Sequence, residues 1–153
     1  MIGILAGVGM EALELFITQP SLVALTGQQP DLSDLAGAKG NWRLYGLLLA
    51  ATWTLAALGE ELVWRGHLLS RAALLLGKSR SAWAVGMVAM SLMFGLAHSG
   101  QGVTGVIENT LNGLLLGGLY LVSGRNLLAP VLAHGITDTV DSTLIFAGLY
   151  PGL

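Results

Sequence analysis

Five apolar runs, each close to the ~20 residues that cross a bilayer as helix, leave this chain few ways to fold. They cover residues 2–18, 42–76, 82–97, 103–122 and 127–149. In hydrocarbon every backbone N–H and C=O must be satisfied within the membrane-spanning structure itself, and the run lengths suit helices. Composition points the same way. Of the 153 residues, 54% are hydrophobic and only 10% charged, and the mean hydropathy is +0.71. A soluble domain carries roughly a quarter charged residues. The expected architecture is all-α, a polytopic transmembrane helix bundle of about five membrane helices with a polar interior site. It is read as a single integral membrane domain over residues 1–153.

Residues 19–41 separate the first two runs and hold Pro20, Pro30, Asp31, Asp34, Gly37 and Gly40. They read as a loop with a short surface helix starting near Asp31, capped by Ser33. The second run exceeds thirty residues, too long for one simple span, so a kink or an interfacial end is expected. Gly113 and Gly117 have the small-x3-small spacing that lets helices approach closely. Alternation of the spans puts Lys78 and Arg80 on the same side as Arg125, and positive-inside counting makes that side cytoplasmic. The start of the chain lacks the positive region of a secretory signal. It is expected to be a first membrane segment, truncated upstream. A net charge of −2 and no basic patch interleaved with aromatics set nucleic acid aside as a partner. The absence of cysteine excludes disulfides, thiolate metal sites and cysteine nucleophiles. Membrane lipid is the partner the composition implies.

The informative residues are those an apolar segment should not contain. A charge at mid-bilayer costs ~2.5–3.5 kcal/mol on insertion scales. Yet Glu60, Glu61, Arg65, His98, Asn109, Asn112, His134, Asp138 and Asp141 lie in or beside the apolar runs. Summed, the cost rivals a domain's net stability of ~5–15 kcal/mol, so several of these groups must face one another inside the bundle. Residues four apart share a helix face. Glu61 and Arg65 can therefore form an ion pair within one helix. Glu60, about 100° around that helix, is left without this partner and is free to act as a general base. His134 and Asp138 are also four apart, and a carboxylate so placed can fix a histidine's tautomer. His98 stands four after Phe94. One free carboxylate, two histidines and another acid suffice to activate a water and stabilise an oxyanion.

Three segments carry a resemblance: Glu60-Glu61-Leu62-Val63-Trp64-Arg65, Phe94-Gly95-Leu96-Ala97-His98 and His134-Gly135-Ile136-Thr137-Asp138. In order, on the second, third and fifth runs, they resemble the E-E-x-x-x-R, F-x-x-x-H and H-x-x-x-N/D signature of the CAAX-processing and bacteriocin-processing (CPBP) family of intramembrane glutamic endopeptidases. That family includes the CAAX prenyl proteases, and the resemblance covers about residues 55–140. It implies that Glu60 activates the attacking water and His98 holds and polarises it. It further implies that His134 and Asp138 stabilise the oxyanion while Glu61 and Arg65 brace the site. No metal or other cofactor is implied. The implied partner is a membrane-associated peptide or protein, prenylated or bacteriocin-related, and the implied location is a bacterial inner membrane. The signature departs at Asp138, where eukaryotic CAAX proteases have Asn; an ionised Asp cannot donate, so it must be protonated or must orient a donating His134.

Two other readings remain open at this point. Glu60, His98, His134 and Asp138 could form a His/carboxylate zinc set of a metal-dependent membrane hydrolase. The chain could also be a non-catalytic immunity or scaffold protein of the same family. Around the motif residues, Asn109 and Asn112 read as interhelical glue. Trp42, Trp53, Trp64 and Trp83 read as interface anchors or lipid-facing bulk. Glu11 and Glu14 fit a cavity wall or a partly exposed face equally well, and His67 has no place in the family pattern.

Overall fold

The computed structural model describes residues 1–153 and is helical throughout, with no strand. Five long helices are joined by short turns and one longer loop: α1 (Ile2–Thr26), α2 (Trp42–Leu75), α3 (Arg80–Ala97), α4 (Gly102–Val122) and α5 (Leu128–Ala147). The first four of these rods are long and apolar enough to cross a membrane, one fewer than the runs suggested. Helix α5 has comparable length, but His134, Asp138 and Asp141 lower its hydropathy. It tolerates them because it packs along α1 and against the middle of α2.

The distribution of side chains is that of a membrane protein. Phe16, Leu25, Leu75 and Val122 are exposed, as lipid-facing residues would be. Glu11, Glu14, Glu61, Arg65, Glu108 and His134 are buried. Small residues make the close helix contacts. A Cβ on Gly113 would sit 3.0 Å from Ser91 of α3, and one on Gly117 would meet Met87, so the Gly113/Gly117 spacing does face a neighbouring helix. A second small-residue pair escaped the sequence reading. Cβ atoms on Gly3 and Gly7 would lie 2.6 and 2.8 Å from the carbonyls of Ala129 and Ala133, which seats α1 on α5.

Local chemistry sets the helix ends. Asn41 caps α2 by accepting from the N–H groups of Arg43 and Leu44, and Ser79 caps α3 through Ala82, as short polar side chains do at N-termini. Helix α1 continues eight residues beyond the expected boundary, to Thr26, straight through Pro20. Proline lacks the N–H and crowds the carbonyl four residues back. A π-wound turn at Glu14–Thr18, directly before it, opens the helix at that point. The short helix of the loop is a 3₁₀ turn at Ser33–Ala38; Ser33 does not cap it, and Asp31 Oδ1 accepts from the Ser33 N–H at 3.0 Å in the turn that leads into it.

Helix α2 runs as one 34-residue helix whose middle is wound more widely than an α-helix. Thr52–Glu60 and Leu62–Leu69 are π-helical, far more than the single-turn bulges in which i→i+5 bonding usually occurs. The wider turns place more residues in each unit of length. They carry Glu60, Glu61 and Arg65 into the middle of the bundle beside α5.

Candidate active site

Side chains from α1, α2, α4 and α5, together with the loop and the end of α3, line a half-open cavity of about 330 Å³. Glu60, His98, His134 and Asp138 all line it. These four come from three sequence segments that share no local contact, so their meeting is a property of the fold.

Glu61, one residue from Glu60, points away from the cavity into the protein and has no exposed surface. Its Oε1 accepts from Arg65 Nη1 at 2.6 Å and from His134 Nδ1 at 2.9 Å. The i,i+4 ion pair is therefore present, and it also ties α2 to α5. Arg65 is held further by the Gly113 carbonyl at 3.2 Å and by the Phe94 ring, 4.8 Å from its guanidinium carbon. A buried ion pair needs further partners to offset its desolvation; here α4 supplies a carbonyl and α3 a ring face to Arg65, while Glu61 Oε2 has no partner in the chain.

Both imidazoles are fixed through Nδ1. His134 donates Nδ1–H to Glu61, and His98 donates Nδ1–H to the Phe94 carbonyl at 2.8 Å. In each ring Nε2 is left for other chemistry. His134 Nε2 lies 3.5 Å from Asp138 Oδ2, long for a hydrogen bond. The expectation that Asp138 fixes the His134 tautomer is thus corrected: the shorter, more buried contact is with Glu61. Phe94 explains the F-x-x-x-H spacing. Its ring packs on His98 at 4.7 Å, meets His134 edge-on at 6.3 Å and is itself met by Trp64 at 5.5 Å. Glu60 Oε2 is buried and has no hydrogen-bond partner in the chain.

The surrounding residues sort differently from their sequence reading. Trp53 covers Gly135, where a Cβ would come within 2.6 Å of its ring, and Trp64 packs on Phe94. Neither lines the cavity itself; Trp53 packs behind Gly135 of α5 and Trp64 behind Phe94. Asn112 is interhelical glue, donating to Glu14 at 2.7 Å, while Asn109 bonds Gln101 and Gly105. Glu11 and Glu14 are buried, and Glu14 and Asp141 line the cavity. His67 lies in a different pocket. Glu108 was missed altogether. It is buried on the cavity wall, and its spacing of four from Asn112, on the same face of α4, was the available signal. No group of three or more His, Asp and Glu side chains is arranged to hold a metal ion.

A polytopic helical protein that hides a carboxylate–histidine cavity among lipid-facing helices belongs with integral membrane enzymes. Residues 42–140, more than half of the chain and containing all three motifs, match the model of the type II CAAX prenyl endopeptidase Rce1-like family. The chain belongs to that family, and at the family level it is a CAAX-type intramembrane peptidase. No curated protein and no solved structure matches it.

Proposed function

We propose that the chain is a metal-independent glutamic endopeptidase, which hydrolyses a peptide bond of a membrane-associated substrate with a water activated by Glu60 and His98. The observation that carries this reading is the convergence on one cavity of an unpartnered Glu60 oxygen and two imidazoles pinned at Nδ1. Water held between Glu60 and His98 Nε2 attacks the scissile carbonyl carbon, and Glu60 takes its proton. The carbonyl oxygen becomes an oxyanion and accepts from His134 Nε2–H. With Nδ1–H given to Glu61, this donation uses the imidazolium form of His134. Asp138, whose Oδ2 lies 3.5 Å from Nε2, stands beside that donor. As the C–N bond breaks, Glu60 returns the proton to the leaving amine, which leaves a carboxylate and an amine as products. A fixed donor aimed at such an oxyanion is worth ~10²–10³ in rate.

The cavity wall also includes Leu32, Leu35, Leu48 and Leu55, which suits an apolar or lipidated substrate segment, prenylated CAAX-type or bacteriocin-related. A bacterial inner membrane is the proposed location. The test is a panel of prenylated and unmodified membrane-tethered peptides, incubated with detergent-purified protein with and without a chelator. Cleavage unaffected by the chelator supports the proposal, and the preferred peptide defines the substrate class. Cleavage that a chelator abolishes and zinc restores overturns metal independence.

A further inference from the structure

At the surface of the bundle lies a second, wide-open pocket, of about 540 Å³, lined by the exposed Arg71, Lys78 and Arg125 together with His67, Trp83 and Tyr120. No Asp or Glu lines it. The chain has seven Lys and Arg residues, so three of them crowd one pocket without a countercharge. The chain's ion pairs all centre on Glu61 and His134. Arg125 instead stacks over Trp83, its guanidinium carbon 5.1 Å from the ring.

The backbone adds an independent observation. Lys78 and Arg125 are the two non-glycine residues with positive φ, at 58° and 64°. Each follows a left-handed glycine, Gly77 or Gly124, at the end of a helix. The two turns carry the same bonds: Lys78 N–H to the Ala73 carbonyl and Gly77 to Leu74, then Arg125 N–H to Tyr120 and Gly124 to Leu121. This cap does not demand a second left-handed residue. At the end of α5, Leu149 N–H bonds Leu144 and Gly148 bonds Ile145 in the same pattern, yet only Gly148 has positive φ. The cap bonds therefore do not account for the left-handed conformation of Lys78 and Arg125. In both cases it comes with a basic side chain lining this pocket. Strained positions of this kind gather at ligand sites.

We propose that this pocket binds the phosphate of an anionic phospholipid headgroup. A guanidinium fork and an ammonium are the donors that recognise phosphate. Trp83 and Tyr120 are aromatic residues of the kind found at headgroup depth. Positive-inside counting puts these turns at the cytoplasmic leaflet, where anionic lipid supplies the ligand. A purely structural role, in which the cations complement the carbonyls at the helix C-termini, predicts a different result from the same variant.

That variant is Lys78→Gly/Arg125→Gly, which removes both cations and gives each position the residue that suits positive φ. Full-length protein is equilibrated with an equimolar mixture of phosphatidylglycerol and phosphatidylcholine, and the lipid retained is read by native mass spectrometry. Thermal unfolding is measured in lipid-free detergent. Each basic residue near an anionic headgroup is worth about a fivefold change in affinity, so the pair is worth about 30-fold. Wild type is expected to retain phosphatidylglycerol preferentially, and the variant to lose that preference while unfolding no earlier than wild type. Equal retention of the two lipids by wild type, or an unchanged preference in the variant, overturns the proposal. So does a variant that unfolds earlier in lipid-free detergent, which assigns the cations to the caps. Inorganic phosphate separates the two sources of the group: stabilisation of wild type by phosphate alone, without selective lipid retention, shows a soluble-phosphate site instead.

Discussion

Replacing Glu61 with Gln tests the architecture of the site more sharply than removing any residue that faces the cavity. Glu61 has no exposed surface and its Oε1 serves Arg65 and His134 together. In Glu61→Gln the volume is kept but the charge is lost. Arg65, 3% exposed, then keeps only neutral direct partners, the amide oxygen introduced by the substitution, the Gly113 carbonyl and the Phe94 ring. Stranding a buried charge costs about 3–5 kcal/mol, a large share of the ~5–15 kcal/mol that holds a domain folded. The double variant Glu61→Gln/Arg65→Met removes the stranded charge as well. What remains is mainly the loss of a charged acceptor for His134, about 1.5–3 kcal/mol. The double variant is therefore expected to be more stable than the single one, an interaction of the size seen for residues in one network. Unfolding in detergent, followed for wild type, both single variants and the double variant, gives the cycle. A Glu61→Gln protein within about 1 kcal/mol of wild type, or a double variant less stable than the single, refutes the reasoning.

Two further outcomes follow from the same structure. Gly7→Val places a Cβ 2.8 Å from the Ala133 carbonyl and is expected to lose about 1–3 kcal/mol by overpacking; Gly9→Ala on the same helix meets nothing within 4 Å and should change the unfolding temperature little. His98→Ala removes a side chain whose one hydrogen bond is to its own helix, so cleavage should fall by ~10²–10⁴ while unfolding in detergent stays close to wild type.

Much of the site was legible in the sequence because the cost of polar groups in hydrocarbon left so few arrangements. Glu60, His98, His134 and Asp138 had to share an interior, and the Glu61–Arg65 pair followed from spacing alone. The contact that completes the arrangement was not legible. Glu61 and His134 are 73 residues apart, and the nearer candidate for the histidine, Asp138, satisfied the local rule just as well. Nor did residues 52–69 announce their π winding, which no residue preference marks and which moves the motif relative to its neighbours. Gly3 and Gly7 were overlooked because a small residue shows its purpose only once its partner helix is known. The backbone outliers at Lys78 and Arg125 are similar. A Gly-Lys or Gly-Arg pair reads as an ordinary turn until the dihedral angles are seen.

The central claim is that Glu60 activates the water, and the rate of peptide cleavage by Glu60→Gln protein tests it most directly. Measured as a single turnover on a membrane-tethered peptide that wild type cleaves, with equal unfolding temperatures as the control for folding, the variant is expected to be slower by at least ~10²–10⁴. Cleavage by Glu60→Gln at the wild-type rate would contradict the account and move the chemistry to another residue.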